Sequence, residues 1–249
     1  MQRLCLTGSS ASGKSTFLLY SHWLLGQGLS CCGSWTARLE GRPGCFVHAD
    51  ARVLASCLHL RLAPFAGALA DLRGELEAGF EQGPGFCRQL LTRVLGAGLE
   101  LRETLDSLLY LPAGMVEGAG EVPVLHSWQV GQEAQELRDC GQSRMSRGLT
   151  QASSLWEAEL STSEALLYLD ELGGPELVDR DFVQSLLACL TQAQRYRVVL
   201  KPRKHLCQLL ERGKFSAEAR RRAVEAWEEL YHVLGTRGQI WDWERGVKL

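Results

Sequence analysis

The sequence predicts an α/β fold, with a mostly parallel central sheet flanked by helices, an early β-hairpin and a mainly helical insertion. Three observations carry this prediction. Residues 4–16 read Leu4-Cys5-Leu6-Thr7-Gly8-Ser9-Ser10-Ala11-Ser12-Gly13-Lys14-Ser15-Thr16, a short apolar strand running into G-x-x-x-x-G-K-S. Residues 165–171 read Ala165-Leu166-Leu167-Tyr168-Leu169-Asp170-Glu171, an apolar run ending in two carboxylates, as a buried parallel strand does. Between and after them, segments with helical spacing alternate with short apolar runs such as Val198-Val199-Leu200.

The first motif has a chemical reason for its spacing. Gly8 and Gly13 tolerate backbone angles that other residues resist, so successive amides can curl around a phosphate at the start of a helix. Gly8, Ser9, Ser10, Ala11, Ser12, Gly13, Lys14, Ser15 and Thr16 are the expected nucleotide-binding residues. Lys14 is expected to reach the β- and γ-phosphate oxygens, and Ser15 to offer its hydroxyl to Mg²⁺. The class this motif predicts is a P-loop NTPase. The helix that follows runs from Thr16 to Leu25 and stops at Gly26. Leu29–Thr36 reads as a second strand, 37–44 contains a turn, and Cys45–Asp50 returns as a third strand, forming the hairpin.

From 51 to about 150 the chain is rich in Ala, Leu and Arg, with apolar residues three and four apart through 69–76 and 86–95. This segment is expected to be a helical insertion or lid within a single domain spanning 1–249. A strand or loop is expected at 121–126, with breaks at 111–114 and 118–120.

The second motif follows the Walker B pattern: Asp170 is expected to order the Mg²⁺ shell, and Glu171 to orient or deprotonate an attacking water. The alternative for Glu171 is a capping or solvated carboxylate. Residues 182–190 have amphipathic helical spacing, and Arg197–Leu200 reads as the next core strand. Lys201, Arg203 and Lys204 then fall at the carboxyl edge of the sheet, where open α/β sheets bind ligands. Arg203 is the first candidate for a catalytic arginine finger from within the chain, a solvated basic loop being the alternative. Ser216 is a cap for a last long helix, and 238–243 reads as a closing strand whose tryptophans pack.

Composition narrows the partners. A net charge of −2 over 249 residues leaves no bulk basic field for nucleic acid or an anionic membrane. The apolar stretch 17–25 is too short and too interior for a membrane span or signal peptide, so the expected location is cytoplasmic, without membrane insertion. The nine cysteines contain no C-x-x-C pair, which favours buried reduced thiols, and adjacent Cys31 and Cys32 face opposite sides of a strand.

With both motifs in place, the chain resembles the small P-loop nucleoside-triphosphatase family known from thermophiles and from a cancer-related human protein. The resemblance rests on the phosphate loop, on a hairpin loosely matched by Gly33-Ser34-Trp35-Thr36 and Gly41-Arg42-Pro43-Gly44-Cys45-Phe46, and on Asp170-Glu171-Leu172-Gly173-Gly174-Pro175-Glu176-Leu177 followed by Phe182. The last string is the specific part, because a generic Walker B requires neither Gly173 nor Glu176. The chain departs from the family at Pro175, Arg38 and Glu244, where methionine, glutamate and asparagine are usual, and its 51–150 segment is much longer. The resemblance implies a compact α/β fold and Mg²⁺-dependent hydrolysis of nucleoside triphosphates with loose base preference.

The leading functional expectation is a hydrolase of ATP or GTP, with Lys14, Glu171 and Arg203 catalytic and with Ser15 and Asp170 holding Mg²⁺. Two others stay open. One is a small-molecule kinase whose acceptor is bound by 51–150; the other is a nucleotide-gated interaction protein in which that segment meets a protein partner.

Overall fold

The computed structural model describes residues 3–9, 11–25, 30–53, 62–107, 109–111, 124–129, 132–162 and 165–249. The chain runs β1 (Arg3–Thr7), α1 (Lys14–Leu25), β2 (Cys31–Leu39), β3 (Cys45–Asp50), α2 (Ala66–Gln82), α3 (Pro84–Ala97) and α4 (Leu99–Ser107). It continues through β4 (Tyr110–Leu111), β5 (Val124–Gln129), α5 (Gln132–Cys140), α6 (Arg144–Thr162), β6 (Leu166–Leu172) and α7 (Arg180–Gln192). The last elements are β7 (Arg195–Leu200), α8 (Arg203–Arg212), α9 (Ala217–Arg237), β8 (Gln239–Asp242) and β9 (Val247–Lys248).

Among the described residues the strands form one sheet in the order β5-β3-β2-β6-β7-β1-β8-β9, with β4 beside the far end of β2. Neighbours from β2 through β8 are parallel, whereas β3, β5 and β9 join antiparallel at the two ends. The central strands are mostly apolar because helices cover both faces: Leu4, Cys5, Leu6, Leu167, Leu169 and Val198 are all buried, with Arg197 of β7 a buried charged exception. Side-chain alternation splits the core in two. Leu4, Leu6, Cys31 and Tyr168 pack with α1 to α4 on one face, and Cys5, Cys32 and Leu167 pack with α5 to α9 on the other. The expectation for Cys31 and Cys32 is met, and the eight described cysteines are free thiols; Cys57 lies outside the described residues.

The 51–150 segment is shared between these layers: α2, α3 and α4 cover one face, β5 extends the sheet, and α5 and the start of α6 belong to the other face. Residues 54–61 and 112–123, which include most of the expected Gly and Pro breaks, lie outside the described residues, as does the helix stop at Gly26. The second strand runs three residues beyond its expected end because Arg38 and Leu39 pair with Tyr110 and Leu111 of β4 as well as continuing the hairpin. The hairpin, the 182–190 helix, the Ser216 cap and the strand at 238–243 are where the residue pattern places them. No described helix is long and apolar enough to cross a membrane.

Candidate functional site

The carboxyl ends of β1, β6 and β7 meet at one edge of the sheet, with β7 between the other two. After β1 the backbone turns through Gly8 (φ 143°), Ala11 (φ 58°) and Gly13 (φ 85°) into α1, whose first turn closes with Phe17 N–H donating to the Gly13 carbonyl at 2.9 Å. Ser10 lies outside the described residues. The loop is pinned from beneath by Trp243, whose indole Nε1–H donates to the Ser12 carbonyl at 2.8 Å and whose ring packs 4.5 Å from that of Phe17. Both Trp241 and Trp243 are fully buried, so they pack as expected.

Lys14 is buried and folds back over the loop, donating to the Gly8 carbonyl at 3.1 Å, to the Ser9 carbonyl and to the Ser12 hydroxyl at 3.2 Å. Burial lowers its pKa, against the pull of Glu171, Asp170 and Glu244. Glu244 lies against the loop as well: its Oε2 accepts from the Ser9 amide at 3.4 Å.

The two motifs, 155 residues apart, join through one bond: the Ser15 hydroxyl donates to Asp170 Oδ1 at 2.9 Å. Asp170 is buried, and burial with the adjacent Glu171 carboxylate raises its pKa to about 7, against the Ser15 bond, the Thr36 contact and Lys201. Hydroxyl and carboxylate oxygens are the hard donors that Mg²⁺ takes alongside phosphate oxygens and waters, so Ser15 and Asp170 fit that ion. Among the described residues no cluster of three or more His, Cys, Asp or Glu side chains forms a separate metal centre.

Glu171 is aimed by a backbone irregularity. The β6–β7 register shifts between Leu169 and Leu172, and at this bulge Glu171 takes a φ of 64°, in the left-handed region. Its Oε2 stands 3.4 Å from Lys201 Nζ at the end of β7. Burial alone would lower the Lys201 pKa, but Glu171, Glu176 and Glu133 outweigh it and leave it raised. Lys201 is thus the cation that the strand order brings to this carboxylate. Arg203 is not brought there: it is half-exposed and paired with Glu228 of α9 at 2.9 Å, and Lys204 is exposed.

The distinctive string after Asp170-Glu171 closes on itself. Glu176 is buried, and its Oε1 accepts from the amides of Gly173 at 3.0 Å and Gly174 at 2.7 Å. A Cβ at Gly174 would stand 2.5 Å from Glu176 Oε2, and Gly173 has a φ of 96°. Sequence reasoning assigned no position to Glu133, His48 or Trp243 in this region, because each arrives from a distant element. Thr36 of β2 donates to the Asp170 carbonyl at 3.3 Å and lies 3.4 Å from His48 Nδ1 of β3.

Behind Glu171 lies a cavity of about 460 Å³. Its inner wall is Leu169 of β6, Met145, Leu149 and Trp156 of α6, and Phe182 and Leu186 of α7. Its polar end holds Glu171, Lys201, Glu176, Glu133 and His205. Burial, reinforced by Glu176, pushes the Glu133 carboxyl well above the usual carboxylate range, while Lys201 and the Ser143 hydroxyl pull the other way. Comparison with family models, curated proteins and solved structures found no match.

Proposed function

We propose that this chain is a Mg²⁺-dependent nucleoside-triphosphate phosphohydrolase that cleaves the γ-phosphate of ATP or GTP. The observation that carries the reading is the Ser15–Asp170 bond at 2.9 Å, with Glu171 beside it and Lys201 against Glu171. It supports the pairing of a phosphate loop with a Walker B strand, which each motif alone leaves open.

In this reading the amides of 8–15 surround the β-phosphate at the N-terminus of α1. Lys14 exchanges its bonds to the Gly8 and Ser9 carbonyls for bonds to phosphate oxygens, a swap of neutral acceptors for charged ones that strengthens each bond. When bound, Mg²⁺ held by Ser15 and Asp170 neutralises charge on the β- and γ-oxygens. Glu171 takes the proton of a water aligned with the γ-phosphorus, and Lys201, 3.4 Å from its Oε2, holds that carboxylate in place. The resemblance to the small P-loop nucleoside-triphosphatases supports the same assignment through Gly173 and Glu176, which shape the turn after Glu171.

Phosphate release from MgATP and MgGTP tests it. Glu171→Gln is expected to cut turnover by on the order of 10²–10⁴ while nucleotide binding persists. Lys14→Ala is expected to weaken binding itself by on the order of a hundredfold. A Lys14→Ala chain that binds and hydrolyses normally would sink the assignment. One observation favours a second reading, a kinase: the enclosed apolar cavity that opens at Glu171.

A further inference from the structure

Hydrolysis needs only space for a water beside Glu171, yet the space there is about 460 Å³. A cavity of that size is in the range that encloses an organic ligand. Met145, Leu149, Trp156, Phe182 and Leu186 line it and all five are themselves buried, so its apolar wall belongs to the helical layer, while Ala134, Leu209 and Arg212 line it from more exposed positions. Two helices, α6 and α7, hold these side chains in place within one packed core, which makes the wall a preformed one.

Four of the charged groups that line it lie close together. Glu171 and Lys201 stand 3.4 Å apart there, with Glu176 and Glu133 alongside and Arg212 exposed at the outer rim. Glu176 Oε1 is already engaged by two backbone amides. The Lys201 ammonium is engaged by Glu171 and faces Glu176 and Glu133 as well. Arg212 stands at the exposed rim and His205 lines the wall, and the buried apolar side chains disfavour a strongly hydrated ligand in the depth of the cavity.

We propose that this cavity binds a second substrate, an uncharged apolar alcohol whose hydroxyl meets Glu171 and receives the γ-phosphoryl group in place of water. The inference rests on the nucleotide reading of the phosphate loop. In the transfer step the hydroxyl oxygen forms a bond to the γ-phosphorus as the bond from that phosphorus to the β,γ-bridging oxygen breaks. The electron pair leaves with the nucleoside diphosphate, and the hydroxyl proton passes to Glu171. The products are a phosphate monoester and a nucleoside diphosphate, and no oxidant or reductant is involved. Filling the apolar end excludes bulk water from Glu171, so the bound alcohol competes with hydrolysis.

The test uses the full chain with MgATP and a series of aryl alcohols from benzyl alcohol to 2-(2-naphthyl)ethanol, with 2-naphthylacetate as the anionic counterpart. Binding is read by naphthyl fluorescence, and products are read by phosphorus NMR. Ala134 of α5 and Leu209 of α8 line the cavity from partly exposed positions, so Ala134→Trp and Leu209→Trp fill it without opening the core. The expected result is saturable binding of the naphthyl alcohol and formation of its phosphate ester. Either Trp variant should weaken that binding roughly tenfold or more while MgATP affinity is unchanged, and the acetate should bind at least roughly tenfold less tightly. Alcohol binding that both Trp variants leave untouched overturns the proposal, as does bound alcohol with all transferred phosphate appearing as inorganic phosphate. A chain that binds MgATP but none of the alcohols overturns the cavity assignment alone. A chain that binds the alcohol in this cavity but no MgATP overturns the nucleotide reading, and the transfer step with it.

Discussion

The carboxyl ends of β1 and β6, on either side of β7, reach the same edge of the sheet by opposite backbone means. At β1 the positive φ angles fall mainly on glycines, Gly8 and Gly13, which take them without the steric penalty of a Cβ. At β6 the positive φ falls on Glu171, because the carboxylate itself must be turned out of the strand. The turn after β1 therefore puts a left-handed angle on a non-glycine only at Ala11, whereas at β6 it falls on the side chain that is aimed from the strand end. The difference also appears in partners: the β1 loop is filled by its own Lys14 and by Glu244, while Glu171 faces a cavity.

The largest stability effect expected beneath the β1 corner comes from His22 of α1. It is buried, its Nδ1 has no hydrogen-bond partner among the described residues, its ring lies edge-on 6.2 Å from that of Tyr168, and burial together with the Arg197 charge lowers its pKa to about 4. The unfolded chain takes up this proton near pH 6.5 and the folded chain only near 4, so protons favour unfolding between those values. Stability falls by up to roughly 3 kcal/mol as pH drops through that window. Denaturant titrations at pH 7 and pH 4.5 should show that His22→Leu removes this part of the acid loss; an unchanged acid limb would rule His22 out as its source.

A smaller pair of effects tests the backbone contrast directly. Gly13→Ala should cost about 1–2 kcal/mol, because Ala resists the φ of 85°. Glu171→Gly should be neutral or stabilising by about 0.5–1 kcal/mol, since relief of the left-handed backbone exceeds the entropy glycine adds to the unfolded state. Thermal melts of the two variants should shift in opposite directions; a clear loss of stability in Glu171→Gly would erase the distinction between the two strand ends. The smallest effect expected is at Glu244, whose carboxylate contacts the Ser9 amide. Glu244→Gln should tighten ATP binding by roughly two- to fivefold, measured by calorimetry, because an exposed like charge beside the triphosphate is removed. Weaker binding in this variant would mean that Glu244 supports the loop and does not compete for it.

The buried strands, the hairpin and both motifs were legible because each is written in contiguous residues: apolar runs for β1, β6 and β7, alternation and a Gly-Pro turn for β2 and β3, glycines at fixed offsets for the loop. The candidate cation was not. Lys201, Arg203 and Lys204 stand within four residues, and only the end of β7 separates the one that meets Glu171 from the one paired with Glu228 on α9. The 51–150 segment shows the same limit, since helical spacing marks its helices but says nothing of which face of the sheet each covers.

The sequence by itself determined the glycine-bearing turn between β1 and α1, the Asp170-Glu171 strand end and the α/β class, because local backbone preference and burial period are properties of neighbouring residues. The tertiary structure alone decided that Ser15 bonds Asp170, that Trp243 pins the loop and that Lys201 faces Glu171. It also decided that a cavity opens behind Glu171. These depend on strand order and on packing between residues far apart in the chain, where the order of the strands and not the spacing of the residues determines which groups meet.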